Sequence, residues 1–148
     1  KQPFGVQRRV VHALLELRNM RRMCIDNTGI GAQLAEESVE RFGENLVEPV
    51  DFTNRNKEAM ATGIKKSFED LRDRIPADQT IRQSLHSVKK ETTSTGAFRF
   101  DAERTERTGH ADHFWAKALA VQARSNPGGR PEYKGVARRE ARFRPGAW

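Results

Sequence analysis

Apolar residues recur along the first part of the chain with a helical period. Val6, Val10, Leu14 and Leu17 lie three or four positions apart, and Val11 and Leu15 widen the stripe. Arg8, Arg9, Glu16 and Arg18 fall between them. This spacing predicts a helix over residues 4–19, packed on a sheet. Arg22-Met23-Cys24-Ile25 is too short an apolar run for a helix and reads as a strand. Asp26-Asn27-Thr28-Gly29 then makes a turn, and Gly31 opens a second helix carrying Leu34, Ala35, Ser38, Val39 and Phe42. Gly43 ends that helix. Leu46 to Phe52 predicts a second strand, and Pro49 within it points to an edge position or a bulge. Thr53 or Asn54 caps a long helix from about 55 to 73, with Met60, Ile64, Phe68 and Leu71 as its buried stripe. Pro76 closes this stretch.

The pattern changes over residues 80–100. Ile81, Leu85 and Val88, then Ala97, Phe98 and Phe100, flank the polar stretch Lys89 to Gly96. A β-hairpin with arms near 85–90 and 96–101 is predicted. The charged run Asp101 to Thr108 reads as a loop. A last helix runs from His110 to about Ala123, with Phe114, Trp115, Ala118, Leu119 and Val121 as apolar contacts. Beyond Arg124 the periodicity stops. Residues 125–148 are rich in proline and glycine and carry six basic residues, Arg130, Lys134, Arg138, Arg139, Arg142 and Arg144, against Glu132 and Glu140. They read as an extended basic tail, either touching DNA phosphates or merely solvated. The element order is that of an α/β domain, and a right-handed crossover helix between the first two strands makes them parallel. The hairpin either extends one end of the sheet or projects from it.

Composition narrows the function. The 148 residues suffice for one domain with one core. A formal net charge of +7 and a pI near 10.1 favour a polyanionic partner, nucleic acid above all, with a solvated basic surface as the alternative. A hydrophobic share of 36% and a mean hydropathy of −0.81 are polar for a globular domain without reaching the disordered class. A polar tail on an ordinary core gives the same average. The single cysteine, Cys24, excludes an intrachain disulfide and a cysteine-rich zinc site. Its apolar run favours buried packing over a reactive thiol. No apolar stretch approaches the roughly 18 residues that span a bilayer, and no signal peptide is visible. The chain opens at Lys1, directly before a helical pattern, and is expected to be a fragment lacking its natural N-terminal part.

Two acidic segments carry the candidate chemistry. Asp26 ends an apolar strand just before a glycine turn, where parallel α/β sheets bind ligands. Asp112 lies in the first turn of the last helix, where the helix dipole favours an anion. If that helix crosses the sheet beside strand 22–25, the two carboxylates converge. Mg²⁺ or Mn²⁺ prefers such oxygen ligands and keeps waters for a substrate phosphate. Two such ions serve in-line phosphodiester hydrolysis. Taken singly, Asp26 reads equally well as a turn-former and Asp112 as an ordinary first-turn residue. His110 and His113 bracket Asp112 at a metal-binding spacing, but no further close ligand accompanies them, and capping suits His110 better. His12 and His86 carry no signal. Thr28-Gly29-Ile30-Gly31 lacks the Lys-Ser/Thr of a phosphate loop, so nucleotide binding is the weaker reading. Phe114 and Trp115 read as core residues before base-stacking ones.

The segment Cys24-Ile25-Asp26-Asn27-Thr28-Gly29-Ile30-Gly31-Ala32-Gln33-Leu34-Ala35-Glu36-Glu37, followed by Gly109-His110-Ala111-Asp112-His113-Phe114-Trp115-Ala116-Lys117-Ala118-Leu119-Ala120, resembles the C-terminal nuclease domain of phage large terminase subunits. The Mu-like prophage branch is the nearest likeness. Val50-Asp51-Phe52-Thr53 and Phe98-Arg99-Phe100-Asp101 stand where such proteins carry a strand and a hairpin. The resemblance covers about residues 4–124 and leaves the tail outside. It implies an RNase H-like fold, here a partial mixed sheet flanked by helices with a β-hairpin before the last helix. It implies a metal-dependent endonuclease that cuts concatemeric double-stranded DNA during packaging, with two Mg²⁺ or Mn²⁺ ions. Portal protein and small terminase subunit are the implied partners, no membrane is involved, and the implied location is the cytoplasm of the bacterial host. Of the family's three acids, Asp26 matches the second and Asp112 the third. The first belongs to opening strands expected before Lys1, and the ATPase half is absent from this sequence. Lys89, Lys90 and Arg99 of the hairpin are candidate contacts to the DNA backbone, or a solvated hairpin edge. The rival readings are a non-catalytic DNA- or partner-binding module of a packaging or transposition complex, and another RNase H-like enzyme such as a transposase or integrase.

Overall fold

The computed structural model describes residues 2–92, 96, 98–102, 111–126 and 128. Among these residues nine elements follow one another: α1 (Phe4–Glu16), β1 (Met23–Asp26), α2 (Ile30–Phe42), β2 (Val47–Val50), α3 (Asn54–Glu69), α4 (Gln79–Ser87), β3 (Val88–Thr92), β4 (Phe98–Ala102) and α5 (Asp112–Ser125). The fold is the expected α/β arrangement. β1 and β2 pair in parallel, Met23 opposite Val47 through Asp26 opposite Val50. Pro49, opposite Ile25, is tolerated because among the described residues this sheet has two strands, which leaves β2 an edge for a residue that cannot donate.

Strand alternation sorts the core into two halves. Ile25 and Val47 face Leu15 of α1 and Ala35 of α2, while Cys24 and Val50 face Met60 and Ile64 of α3 and Phe114 and Ala118 of α5. The small sheet is therefore a middle layer with helices on both sides. Leu15 and Val47 are wholly buried, each contributing about 1.5–3 kcal/mol through removal from water.

α5 runs antiparallel to the strands. Near its end, Gln122 Nε2 donates to Glu48 Oε1 at 3.1 Å, and beyond it Asn126 Nδ2 donates to Glu48 Oε2 at 3.2 Å. At its start, the Trp115 ring lies 5.3 Å from Phe52, just past the end of β2. α3 runs parallel to α5. A Cβ at Gly63 would stand 3.7 Å from Val121, and Arg124 Nη2 donates to Ser67 Oγ at 2.6 Å. Lys57 meets Trp115 in the same register.

The expected hairpin forms from β3 and β4, with Val88 opposite Ala102 and Thr92 opposite Phe98. It is a sheet of its own and does not extend β1–β2. Its arms start later than expected, because residues 79–87 fold as α4. Asp78 Oδ1 caps that helix by accepting from Ile81 N at 2.9 Å. Ile81, Leu85 and Val88 are spaced for a helix as well as for a hairpin approach, and the Asp78 cap decides between them. Other boundaries are shorter than expected. α1 stops at Glu16 where 19 was predicted, and α3 stops at Glu69 where 73 was predicted. Most of the loop after β4, His110 and nearly all of the basic tail lie outside the described residues.

α3 ends in a Schellman turn: Arg72 N donates to Ser67 O and Leu71 N to Phe68 O. Leu71 occupies the left-handed position, φ 55°, and is 86% exposed. This turn returns the chain so that Asp73 reaches α5. Asp73 accepts from Ser67 Oγ, from Lys117 Nζ at 2.5 Å and from Arg124 Nη1 at 3.3 Å.

A Cβ in the left-handed region is costly and Leu71 buries almost nothing. Leu71→Gly is expected to raise stability by about 0.5–1 kcal/mol, after offsetting the greater freedom of glycine in the unfolded chain. A denaturant titration checks this, and an unchanged or lower midpoint would contradict it.

Burial opposes ionisation of Asp73, yet Lys117, Ser67 and Arg124 outweigh it and hold its carboxyl below the usual aspartate range. Burial likewise opposes Glu48, and Arg22, Gln122 and Asn126 hold it below the usual glutamate range. A folded-state pKa below the unfolded one stabilises above the unfolded pKa, and that contribution is lost as pH falls through the folded value. The loss therefore sets in as pH drops below about 4. Glu48→Gln and Asp73→Asn are each expected to flatten the acid limb of a Tm-against-pH curve, and a limb as steep as wild type would refute the assignment.

Candidate functional site

The turn after β1 is built by three residues with distinct tasks. Asp26 Oδ1 accepts from Thr28 N at 3.0 Å and from Thr28 Oγ1 at 2.6 Å, which folds the chain back on itself. Gly29 takes φ 55°, a conformation that a side chain resists. Gly31 lets α2 start against the strand, because a Cβ there would stand 2.2 Å from the Asp26 carbonyl oxygen. The DNTGIG run thus aims the Asp26 side chain while bringing the start of α2 to the end of β1.

Asp26 lies on the same strand face as Cys24, the face covered by α3 and α5. Because α5 runs antiparallel to β1, its first turn arrives at the strand's carboxyl end, and that turn carries Asp112. Ala111, just before it, is fully buried with φ 57°, a left-handed conformation held by the packing around it. α5 packs against β1, the strand that ends in Asp26. α2, α3 and α5 all begin at this edge, so three helix N-termini point their partial positive charge toward it.

Asp51 is an acid that sequence reasoning did not single out. Its Oδ1 accepts from Asn27 Nδ2 at 2.8 Å, tying the ends of the two strands together. The available signal was its position one residue past the second strand. Asp112 and His113 are exposed, and Asp26 is half-buried. Among the described residues, no three His, Cys, Asp or Glu side chains come close enough to hold a metal ion together. The oxygen donors of Asp26 and Asp112 suit a hard cation, with Asp26 Oδ2 left over from the Thr28 contacts, but the set lacks a third acid.

Cys24 is buried, and burial together with the charge of Glu48 pushes its thiol pKa up to about 12, so it packs rather than reacts. Phe114 is buried as expected, and Trp115, partly buried, meets Phe114 edge-on and Phe52 at a tilt. The hairpin cations Lys89, Lys90 and Arg99 are exposed but divided between its faces. Lys89 and Arg99 share one face, with Glu91 opposite Arg99, and Lys90 sits on the other with Nζ 3.3 Å from the Phe98 ring centroid.

Among the described residues nothing pairs with the outer edge of β1. A groove of about 680 Å³ lies along it, lined by Leu14, Met20, Met23, Ala116, Leu119 and Ala123. Leu14 and Leu17 beside it are 43% and 48% exposed.

A small parallel sheet between helix layers, with carboxylates at its strand ends, fits an RNase H-like domain among other α/β folds. The family model described as "Terminase RNaseH-like domain" matches residues 3–124, and the chain belongs to that family. A curated relative, "Probable terminase, ATPase subunit" of Haemophilus phage HP1 (strain HP1c1), is 29% identical over 124 residues. That match covers 82% of this chain and 20% of the relative, so the chain spans about a fifth of the relative's length. These matches do not place the chain in the Mu-like prophage branch. No solved structure matches it. Among the described residues no helix is long and apolar enough to cross a membrane.

Gly31→Ala is expected to destabilise the domain by about 1–3 kcal/mol, since backbone must give way to the new methyl. Thermal melting of the variant checks this, and an unchanged Tm would mean that α2 does not start so close to Asp26.

Proposed function

We propose that this chain forms part of the nuclease domain of a viral DNA-packaging terminase, which in the whole protein cuts concatemeric double-stranded DNA. The observation that carries the reading is the arrival of the α5 N-terminus, with Asp112, at the strand end occupied by Asp26. Asp26 and Asp112 would hold Mg²⁺ or Mn²⁺ through carboxylate oxygen, two ions in the complete site. Bound there, such ions supply an activated water and charge neutralisation for in-line phosphodiester hydrolysis. The chain's own contribution is to fix the two carboxylates: Thr28 orients Asp26, and the buried Ala111 sets where Asp112 begins α5.

A third carboxylate would come from a strand of the same protein laid along the open edge of β1. Among the described residues that edge offers unpaired backbone groups, and the groove beside it offers apolar cover. Lys89, Lys90 and Arg99 are assigned to the DNA backbone, where contacts carry affinity without sequence preference. Portal protein and small terminase subunit are the proposed assembly partners, and the host cytoplasm the proposed location.

A second reading has a specific observation in its favour: the two acids acquire no third among the described residues. In that reading the chain is a DNA- or partner-binding module without chemistry. Cleavage of linear double-stranded DNA by the whole protein in Mn²⁺ separates the two. Asp26→Asn and Asp112→Asn are each expected to reduce cleavage by more than about 100-fold, beyond what loss of a supporting residue around a metal costs. Cleavage retained in both variants would remove the nuclease assignment, and salt-sensitive binding with no cleavage in wild type would favour the module.

A further inference from the structure

Lys57 is a cation that the nuclease reading has not used. It lies in the first turns of α3, partly buried, with Nζ 5.4 Å from the Trp115 ring centroid and 6.0 Å from that of Phe52. It pairs with no carboxylate among the described residues. Other partly buried cations of the domain are neutralised: Arg22 by Glu48 and Lys117 by Asp73. Lys57 is held instead by aromatic faces, which attract an ammonium without cancelling its charge.

Its position is tied to the acids. Trp115 stands three residues after Asp112, about 4.5 Å along the axis of the same helix. Phe52 follows Asp51, and Thr53 caps α3 by accepting from Asn56 N at 3.2 Å. Lys57 therefore sits at the edge where α2, α3 and α5 begin.

We propose that Lys57 is a DNA-backbone contact of this site, its ammonium donating to a phosphate oxygen next to the bond addressed by Asp26 and Asp112. The inference rests on the nuclease reading. A site made of carboxylates repels the polyanion it must bind, so a fixed positive charge beside it gives the phosphate a reason to approach. An ammonium has three N–H donors, and contact with the rings leaves donors for phosphate oxygen. The aromatic walls restrict a flexible stem before binding, which lowers the entropy lost when the contact forms. If the lysine served only to join α3 to α5, its methylene stem would do the work and its charge would not.

The test measures binding of the whole protein to a linear DNA duplex, with Ca²⁺ replacing Mn²⁺ so that DNA is held uncut, over about 50–200 mM salt. Lys57→Met keeps the apolar stem, Lys57→Arg keeps the charge, and Lys57→Gln stands in if the Met variant melts early. The expected result is a slope of log affinity against log salt reduced by about 0.9 in Lys57→Met, restored in Lys57→Arg, with Tm close to wild type. A wild-type slope in Lys57→Met overturns the proposal. So does a slope that changes only together with a lowered Tm and stays at wild type in a well-folded Lys57→Gln. Cleavage by Asp26→Asn and Asp112→Asn is read in parallel in Mn²⁺. Lost cleavage with an unchanged Lys57→Met slope refutes the contact and leaves the nuclease reading standing. Retained cleavage in the Asp variants refutes that reading whatever Lys57 does.

Discussion

The Arg22–Glu48 pair joins the beginning of the sheet to the end of the last helix. Arg22 Nη2 meets Glu48 Oε2 at 2.5 Å, and Arg22 Nη1 also donates to the carbonyls of Glu44 and Asn45. Glu48 accepts in turn from Gln122 and Asn126, so one carboxylate is shared by β2, the segment before β1 and the last part of α5. With its C-terminal end fixed there, a helix of 14 residues, about 21 Å long, must deliver its N-terminus across the sheet to the opposite edge. That edge is where β1 ends in Asp26. A pair so nearly buried adds little net stability over apolar packing, but loss of one partner strands the other, so it defines position more than it adds energy.

A second tether, Asp73, lies just past the end of α3. It holds Lys117 and Arg124 of α5 and Ser67 of α3, and it reaches them because a Schellman turn at Leu71 folds the chain back. α3 and α5 are thereby kept parallel and in register, and their N-termini share one edge with that of α2. The candidate site side chains stand where three helix N-termini meet and where the strands stop, while Gln122 and Arg124 anchor α5 toward its other end.

Inside that frame, small residues decide how closely the elements approach. Gly31 admits the start of α2 against the Asp26 carbonyl, and Ala118, wholly buried, lets α5 lie on the core that β1 shares. The outer edge of β1, Leu14 of α1 and Leu17 just past that helix have no such cover among the described residues.

Much of this was legible in the sequence. The 3.6-residue stripes marked α1, α2, α3 and α5, glycine and proline marked their limits, and Cys24-Ile25-Asp26 read as a strand because so short an apolar run between turn signals suits nothing else. The two acidic segments stood out because each sits at the boundary of an element, and boundaries are set by local chemistry that neighbouring residues report. α4 was missed because Ile81, Leu85 and Val88 fit two periods, and only the Asp78 cap resolves them. What the sequence could not settle depends on contacts between residues far apart in the chain. The direction of α5 over the sheet follows from Glu48 meeting Gln122, the parallel pairing of α3 and α5 from Ser67 and Asp73 meeting Arg124, and the setting of Lys57 from two rings contributed by different elements. Local propensity fixes which residues form an element and where it stops. Only the packing of those elements against one another decides which ends meet, because that is determined by burial and ion pairing summed over the whole fold.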